Sequence, residues 1–364
     1  MALKEDYLVD LSYSNKVVEL YEKLNIELTS DIINKLKETG DISSYTRSQI
    51  RQLAKRGGRE IFFSSLEKAS SISSERKTEL KNIFVELAKE DIKSYKELYD
   101  YRDKKMEVSE SQYDLLNKQI KMTEKEFKNF TRTIAFSNEK EFVNAVDTMY
   151  QQVVTGGTDF NTAFRETTDE LAEKGTTLPM SDGRSRSIEA AVRQNIRTAV
   201  RDTARLINQS IGKELDCDGV QINISPNCRP THEAINGKVF KVKSAAWQKN
   251  KHLLEDYNCQ HFETPIIFDI QGNIYTKEEI YRANHATINY RGKTIPYYEA
   301  TQLQRALERN IRNAKKQYVT LKNSGIDSSD AKQSVSDAQK LMREFISETG
   351  LERDPIRERY AGYN

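Results

Sequence analysis

The stretch SIEAAVRQNIRTAVRDTARLINQSIGKEL, residues 187–215, decides the fold class. Its apolar positions Ile188, Val192, Ile196, Val200, Ile207 and Ile211 recur at steps of four and seven. That is the buried stripe of an amphipathic helix, and it needs other helices to cover it. The same stretch carries Arg193, Arg197, Arg201 and Arg205 at a strict spacing of four. At about 100° per residue each step drifts only about 40°, so the arginines form one slanting ribbon. Six basic and three acidic residues lie between Ser185 and Leu215. The spacing places this ribbon opposite the apolar face, where it suits a phosphate backbone or acidic groups of a neighbouring subunit.

Upstream the chain also reads as helix. Val17, Leu20, Tyr21, Leu24 and Leu28 share helical spacing, as do Ile83, Phe84, Leu87, Ile92 and Tyr95 in a charged helix reaching to about Tyr101. Tyr113, Leu116, Ile120, Phe127 and Phe130 form a third stripe. Asn138 followed by Glu141 predicts a capping box that opens a new helix, closed by Gly156-Gly157. Asp159 to Lys174 reads as another helix, stopped by Gly175. The segment 48–69, SQIRQLAKRGGREIFFSSLEKA, is read as a helical hairpin turning at Gly57-Gly58, with Ile61, Phe62 and Leu66 as core, in preference to a DNA-reading helix-turn-helix.

Downstream the composition changes. All six prolines lie at or after Pro179, and Val220-Ile222-Ile224, residues 239–242 and residues 266–270 read as short strands. A helix from Tyr298 to about Leu321 carries a second basic set, Arg305, Arg309, Arg312 and Lys316, and a last helix runs from Ser328 to Thr349. The tail beyond Gly350 is expected to be mobile. The fold expected is mainly α: an elongated N-terminal helical region (1–176), the Arg-rich helix with a small α+β domain (177–296), and C-terminal helices with a tail (297–364).

Charged residues make up 31% of the 364 and the formal net charge is +2, so any basic surface must arise by local segregation. The start, MALKEDYLVDLSYS, is too charged for a secretion signal, and no apolar run approaches a membrane span. Cytoplasm, or a particle leaving it, is the expected location. The sequence has no Walker loop, Rossmann fingerprint, HExxH or GxSxG pattern, which argues against the commoner enzyme classes.

Chemistry concentrates in NCRPTH and NCQH, which bring Cys228, His232, Cys259 and His261. Two thiolates and two imidazoles could complete a tetrahedral zinc site, the one cofactor this donor set suits. Neither pair has zinc-finger spacing, and the favoured reading is a buried thiol beside each histidine, with His232 and His261 bonded to backbone. Arg229, His232, Asn236 and His261 could also be read as a metal-dependent nuclease, but the acidic metal ligands of such chemistry are missing. A cysteine nucleophile paired with histidine is a further option. No catalytic residue is assigned.

Taken in order, YTRSQIRQLAKRGG, TRTIAF, VVTGG, FRETTDELAEKG, DGRSRSIEAAVRQNIRTAVRDTAR, NCRPTHEAINGKVF, NCQHFETP and QLQRALERNIRNAKK resemble the phage minor capsid protein 2 family, more distantly the phage Mu F-like head morphogenesis proteins. The shared motif falls on Asn227, Arg229, Pro230, Gly237, Lys238 and Asn258. Ile235 stands where the family usually has an aromatic, and Gln260 where it has arginine. The resemblance implies a structural, non-enzymatic minor head component of a tailed bacteriophage, present in several copies near the portal or capsid interior. Its partners would be the portal and the major capsid or scaffold proteins, with packaged DNA contacted non-specifically. A DNA-binding protein acting in packaging or ejection, and a Cys/His-dependent nuclease or hydrolase, are the alternatives.

Overall fold

A computed structural model describes residues 12–180, 183–226, 228–256, 259 and 261–363. It is mainly helical, with a few small sheets, as the periodicities predict. The charged start of the chain (residues 1–11) and the motif residues Asn227, Asn258 and Gln260 lie outside the described residues.

Helix α1 (Ser12–Thr39) is followed by α2 (Arg47–Ser71), α3 (Ser73–Ser94), the short α4 (Lys96–Tyr101) and α5 (Glu110–Val154). At 45 residues, α5 is roughly 68 Å long. It is one unbroken helix opened by a capping box at Ser109 and Gln112. The pattern at Asn138 and Glu141 therefore does not start a helix. Asn138 is buried in mid-helix and donates from Nδ2 to Ser65 Oγ on α2. Gly57-Gly58 is likewise not a turn, since α2 runs straight through it. The two glycines lie where α2 presses on α5. A Cβ on Gly57 would stand 2.4 Å from Phe142 Cε1, so only a residue without a side chain allows this approach. Neither a helix-turn-helix nor a helical hairpin exists in 48–69.

Helix α6 (Phe160–Lys174) has the expected ends. Asp159 caps two backbone N–H groups, and Gly175 leaves the helix at a φ of 66°. Next comes a two-stranded antiparallel ribbon, β1 (Thr177–Pro179) with β2 (Ser185–Ser187). It feeds α7 (Ile188–Glu214), whose apolar stripe packs with α1, α3, α4 and α5 in one core. Arg76 stitches this core: its guanidinium, 1% exposed, grips Glu124 of α5 through two N–H groups and donates to Tyr21 of α1. A second core joins α1, α2, α5 and α6 to residues of α11 (Tyr297–Asn323) and α12 (Ser329–Thr349).

Between α7 and α11 lies the small α+β part, with the short helices α8 (Ala245–Asn250), α9 (Phe268–Gln271) and α10 (Lys277–Asn284). Strands β3 (Gly219–Ile222), β4 (Val239–Lys241) and β5 (Glu263–Ile266) form an antiparallel sheet in the order β4-β3-β5. The last strand falls before the predicted 266–270, because Phe268–Gln271 curls into a helical turn. Pro265 is accommodated on an edge strand, where its missing N–H costs no ladder bond. Val220, Ile222, Ile235, Phe240, Trp247 and Leu254 make a separate, small core. A hairpin, β6 (Thr287–Tyr290) with β7 (Lys293–Pro296), then packs beside α11 and α12.

The segment after Gly350 is not loose. Leu351, Tyr360 and Ala361 are buried, and Ala361 donates its N–H to Glu22 of α1. Lys315 of α11 donates to the Glu358 carbonyl, and Arg312 to that of Arg357. Buried donors and carbonyls thus bind this tail to two helices.

The packing at α2 is testable by urea unfolding. Helix propensity alone makes Gly→Ala in a helix interior stabilising by about 0.5–1 kcal/mol. At Gly57 the methyl must instead displace a buried aromatic ring, so Gly57→Ala should destabilise by about 1–3 kcal/mol. Gly58→Ala, whose nearest neighbours are the Val143 and Glu139 side chains and the Glu139 carbonyl at 3.1 Å or more, should be milder. A stabilised Gly57→Ala variant would refute the close α2–α5 contact.

Candidate functional site

The site is built where β3 leaves the small sheet and the chain returns to enter β5. Beyond β3, Pro230 opens a single turn of 3-10 helix, Pro230–His232, which points the His232 side chain inward. Gly237 follows at a φ of 68°, with Ile280 so close that a Cβ would lie 2.8 Å from it. These local constraints give Pro230 and Gly237 a backbone role. Lys238 is exposed, and its carbonyl accepts from Ile222, where β4 joins β3. Cys259 and His261 lie on the lead-in to β5.

His232, Cys259 and His261 converge. Their exposures are 1%, 9% and 3%. His232 Nδ1 lies 3.4 Å from His261 Nδ1, and Cys259 Sγ lies 3.5 Å from each. Outside this trio, His232 Nε2 meets Asp256 Oδ2 at 2.9 Å and His261 Nε2 meets Asn236 Oδ1 at 3.1 Å. The histidines are therefore held by side chains, not by backbone as the sequence reading expects. Burial, with the neighbouring His232, lowers the His261 pKa to about 4. Burial raises the Cys259 thiol, opposed by a backbone N–H from His261. Asp256 is lowered, chiefly by its hydrogen bond with His232.

Cys228 is not part of the cluster. It is partly buried and its thiol faces Asn284 Oδ1 at 3.8 Å; burial pushes its pKa up to about 11. Of the four expected donors, the fold unites three. Arg229 lies 3.9 Å from Asp256. Asn236, read from the sequence as one member of a possible nuclease set, holds His261. Asp256 escaped notice, although an acidic residue three positions before Cys259 was the available signal.

The arginine ribbon of α7 does not stand free opposite the core. Arg193 pairs with the buried Glu22 of α1 at 3.1 Å. Arg201 donates to the Asp256 carbonyl and pairs with Asp202, while Arg205 pairs with Glu255 at 3.0 Å. The ribbon thus ties α7 to α1 on one end and to the Cys/His segment on the other. Arg197, between them, sits among Arg193, Arg357 and Arg305. Burial, then those charges, lower its pKa to about 10, and among the described residues its Nε is buried without a partner. On α11, Arg312 is lowered to about 10, and Arg305 is lowered too, first by burial in both. Lys316 is buried and reaches Glu189 and the Lys174 carbonyl. Arg309 is exposed.

A family model described as phage minor capsid protein 2 matches residues 3–347, a span that includes the Cys/His cluster and both basic helices. No curated protein and no solved structure matches the chain.

The two arginines nearest α1 should behave oppositely. Arg193→Met leaves Glu22 buried without its ion partner and should cost about 3 kcal/mol. Arg197→Met removes a like charge and a buried, unbonded N–H, so stability should hold or rise. Chemical unfolding of the two variants checks this; equal losses would show that no such division exists along α7.

Proposed function

This chain belongs to the phage minor capsid protein 2 family, and from that premise we propose that it acts in head assembly of a tailed bacteriophage, near the portal or on the inside of the shell. Membership makes it a structural protein of the bacteriophage capsid, carried in the virion. The observation that carries the finer reading is the extent of the match, which takes in nearly the whole chain, residues 3–347. In this reading the role is structural and not catalytic. The partners are portal, major capsid or scaffold subunits, the copies are several, and assembly takes place in host cytoplasm. Among the described residues no helix is long and apolar enough to cross a membrane.

The surface supports protein partners. Phe63 of α2 is 65% exposed and Phe136 of α5 is 49% exposed, with the Phe62 ring between them at 5.4 and 4.9 Å. Aromatic side chains gathered at a surface suit the buried centre of a protein interface. The DNA-binding alternative has less support, because Arg193, Arg201 and Arg205 are engaged within the chain.

A mass-spectrometric inventory of purified particles tests the location: the chain should accompany heads or procapsids. Its presence solely as free protein in the lysate would sink the reading. The double variant Phe63→Ser/Phe136→Ser should melt as the parent does yet enter particles about tenfold less well. Undiminished incorporation would remove this patch from the interface.

A further inference from the structure

We infer that His232, Cys259 and His261 ligate one zinc ion, which ties the exit of β3 to the entry of β5. The hydrogen bonds around the cluster assign its protons. Ser225 donates its backbone N–H to Asn236 Oδ1 and accepts from Asn236 Nδ2, which fixes that amide's orientation. Asn236 Oδ1 is then an acceptor toward His261, so the ring proton of His261 sits on Nε2. The Asp256 carboxylate draws the proton of His232 to Nε2 in the same way. Both Nδ1 atoms are left as bare lone pairs, 3.4 Å apart and buried. The thiol of Cys259 has one proton and can serve only one of them. At least one of the two buried acceptors is left without a donor, which is costly, and a cation between them removes the cost.

The distances fit that cation. Zn–N bonds of about 2.0–2.1 Å and a Zn–S bond of about 2.3 Å, at tetrahedral angles, separate two nitrogens by about 3.4 Å and nitrogen from sulfur by about 3.6 Å. The cluster shows 3.4 Å for the nitrogens and 3.5 Å for each nitrogen to sulfur. Two imidazoles with one thiolate are a borderline-soft set that favours zinc over magnesium or calcium. Asp256 and Asn236 are then the outer partners that orient ligating histidines, fixing ring angle and tautomer. The fourth position belongs to a water or, after a side-chain rotation, to Cys228. The physical need is plain in the small sheet, whose separate core has, among the described residues, six buried apolar side chains. A metal clip supplies the stability that so little apolar burial does not.

The test uses the full chain, with any affinity tag removed. Purified protein should contain one zinc per chain by elemental analysis. Replacement by Co2+ should give the visible bands of a tetrahedral site and a thiolate-to-metal charge-transfer band in the near ultraviolet. Cys259→Ser should abolish the charge-transfer band. Cys228→Ser should keep it if water is the fourth ligand and reduce it if Cys228 is; either result supports the site. A chelator should lower the melting temperature of the parent protein, and added zinc should restore it. Zinc at background, no cobalt spectrum on the folded parent protein, and melting indifferent to chelator and zinc would together overturn the proposal. The cobalt titration of the parent protein keeps this outcome within reach even if the ligand variants fail to fold.

Discussion

The arrangement of the long helices rests on a buried polar junction around Asn25 and Glu189. Asn25 on α1 accepts from the Thr176 backbone N–H at 2.7 Å and donates to Glu189 of α7 and to the Tyr360 hydroxyl. Glu189 in turn faces Lys316 of α11 at 3.5 Å, and Lys316 reaches back to the Lys174 carbonyl at the end of α6. Four helices and the tail thus meet through directional bonds in a dry place. Apolar stripes alone let helices slide or rotate against one another; a buried amide with every donor and acceptor claimed admits one register. The removal of any member would leave the others buried and unbonded. Gly175 is part of this design, since a Cβ there would meet the Asn25 amide at 2.8 Å.

What the sequence disclosed was what is local. The ends of α6 were readable because Asp159 and Gly175 act within a few residues of themselves. The stripes of α1, α3 and α7 were readable because one face of each is continuously apolar. The failures share a cause. Gly57-Gly58 looks like a turn until the ring of Phe142, 85 positions away, claims the space a side chain would fill. Asn138 resembles a cap, yet its amide is claimed by Ser65 across the α2–α5 seam. The α7 arginines looked like an open face because their partners Glu22 and Glu255 belong to distant segments. In the Cys/His segment, residue types pointed to the right place. The selection of three donors out of four depends on which way the short turn at Pro230 and the lead-in to β5 face, and no spacing rule contains that.

The α7 ribbon also links two regions that the sequence separates. Through Arg201 and Arg205 the helix holds residues 255 and 256, and Asp256 holds His232. Any tilt of α7 against the sheet is therefore felt at the Cys/His cluster through one shared residue. Gln209 adds a bond to Glu263, and Gly212 lets Pro265 pack against the helix backbone, so β5 is held from the same side. The small sheet is mounted on the helical frame by polar contacts spread along three turns of one helix.

The return of the tail to α1 has a consequence for synthesis. Ala361 and Glu22 are 339 positions apart, and Tyr360 closes the junction at Asn25 across 335. While the ribosome is still translating, α1 can meet α2, α5 and α7, but its last polar partners do not yet exist. At about 5–20 residues per second the interval is on the order of tens of seconds. Until the tail emerges Glu22 lacks the Ala361 N–H, and the face of α11 that carries Arg312 and Lys315 lacks the carbonyls it will bind. The nascent chain therefore exposes a charged, unfinished surface, better kept in solution by its like charges than an apolar one would be. Residues 360 and 361 act as the latch.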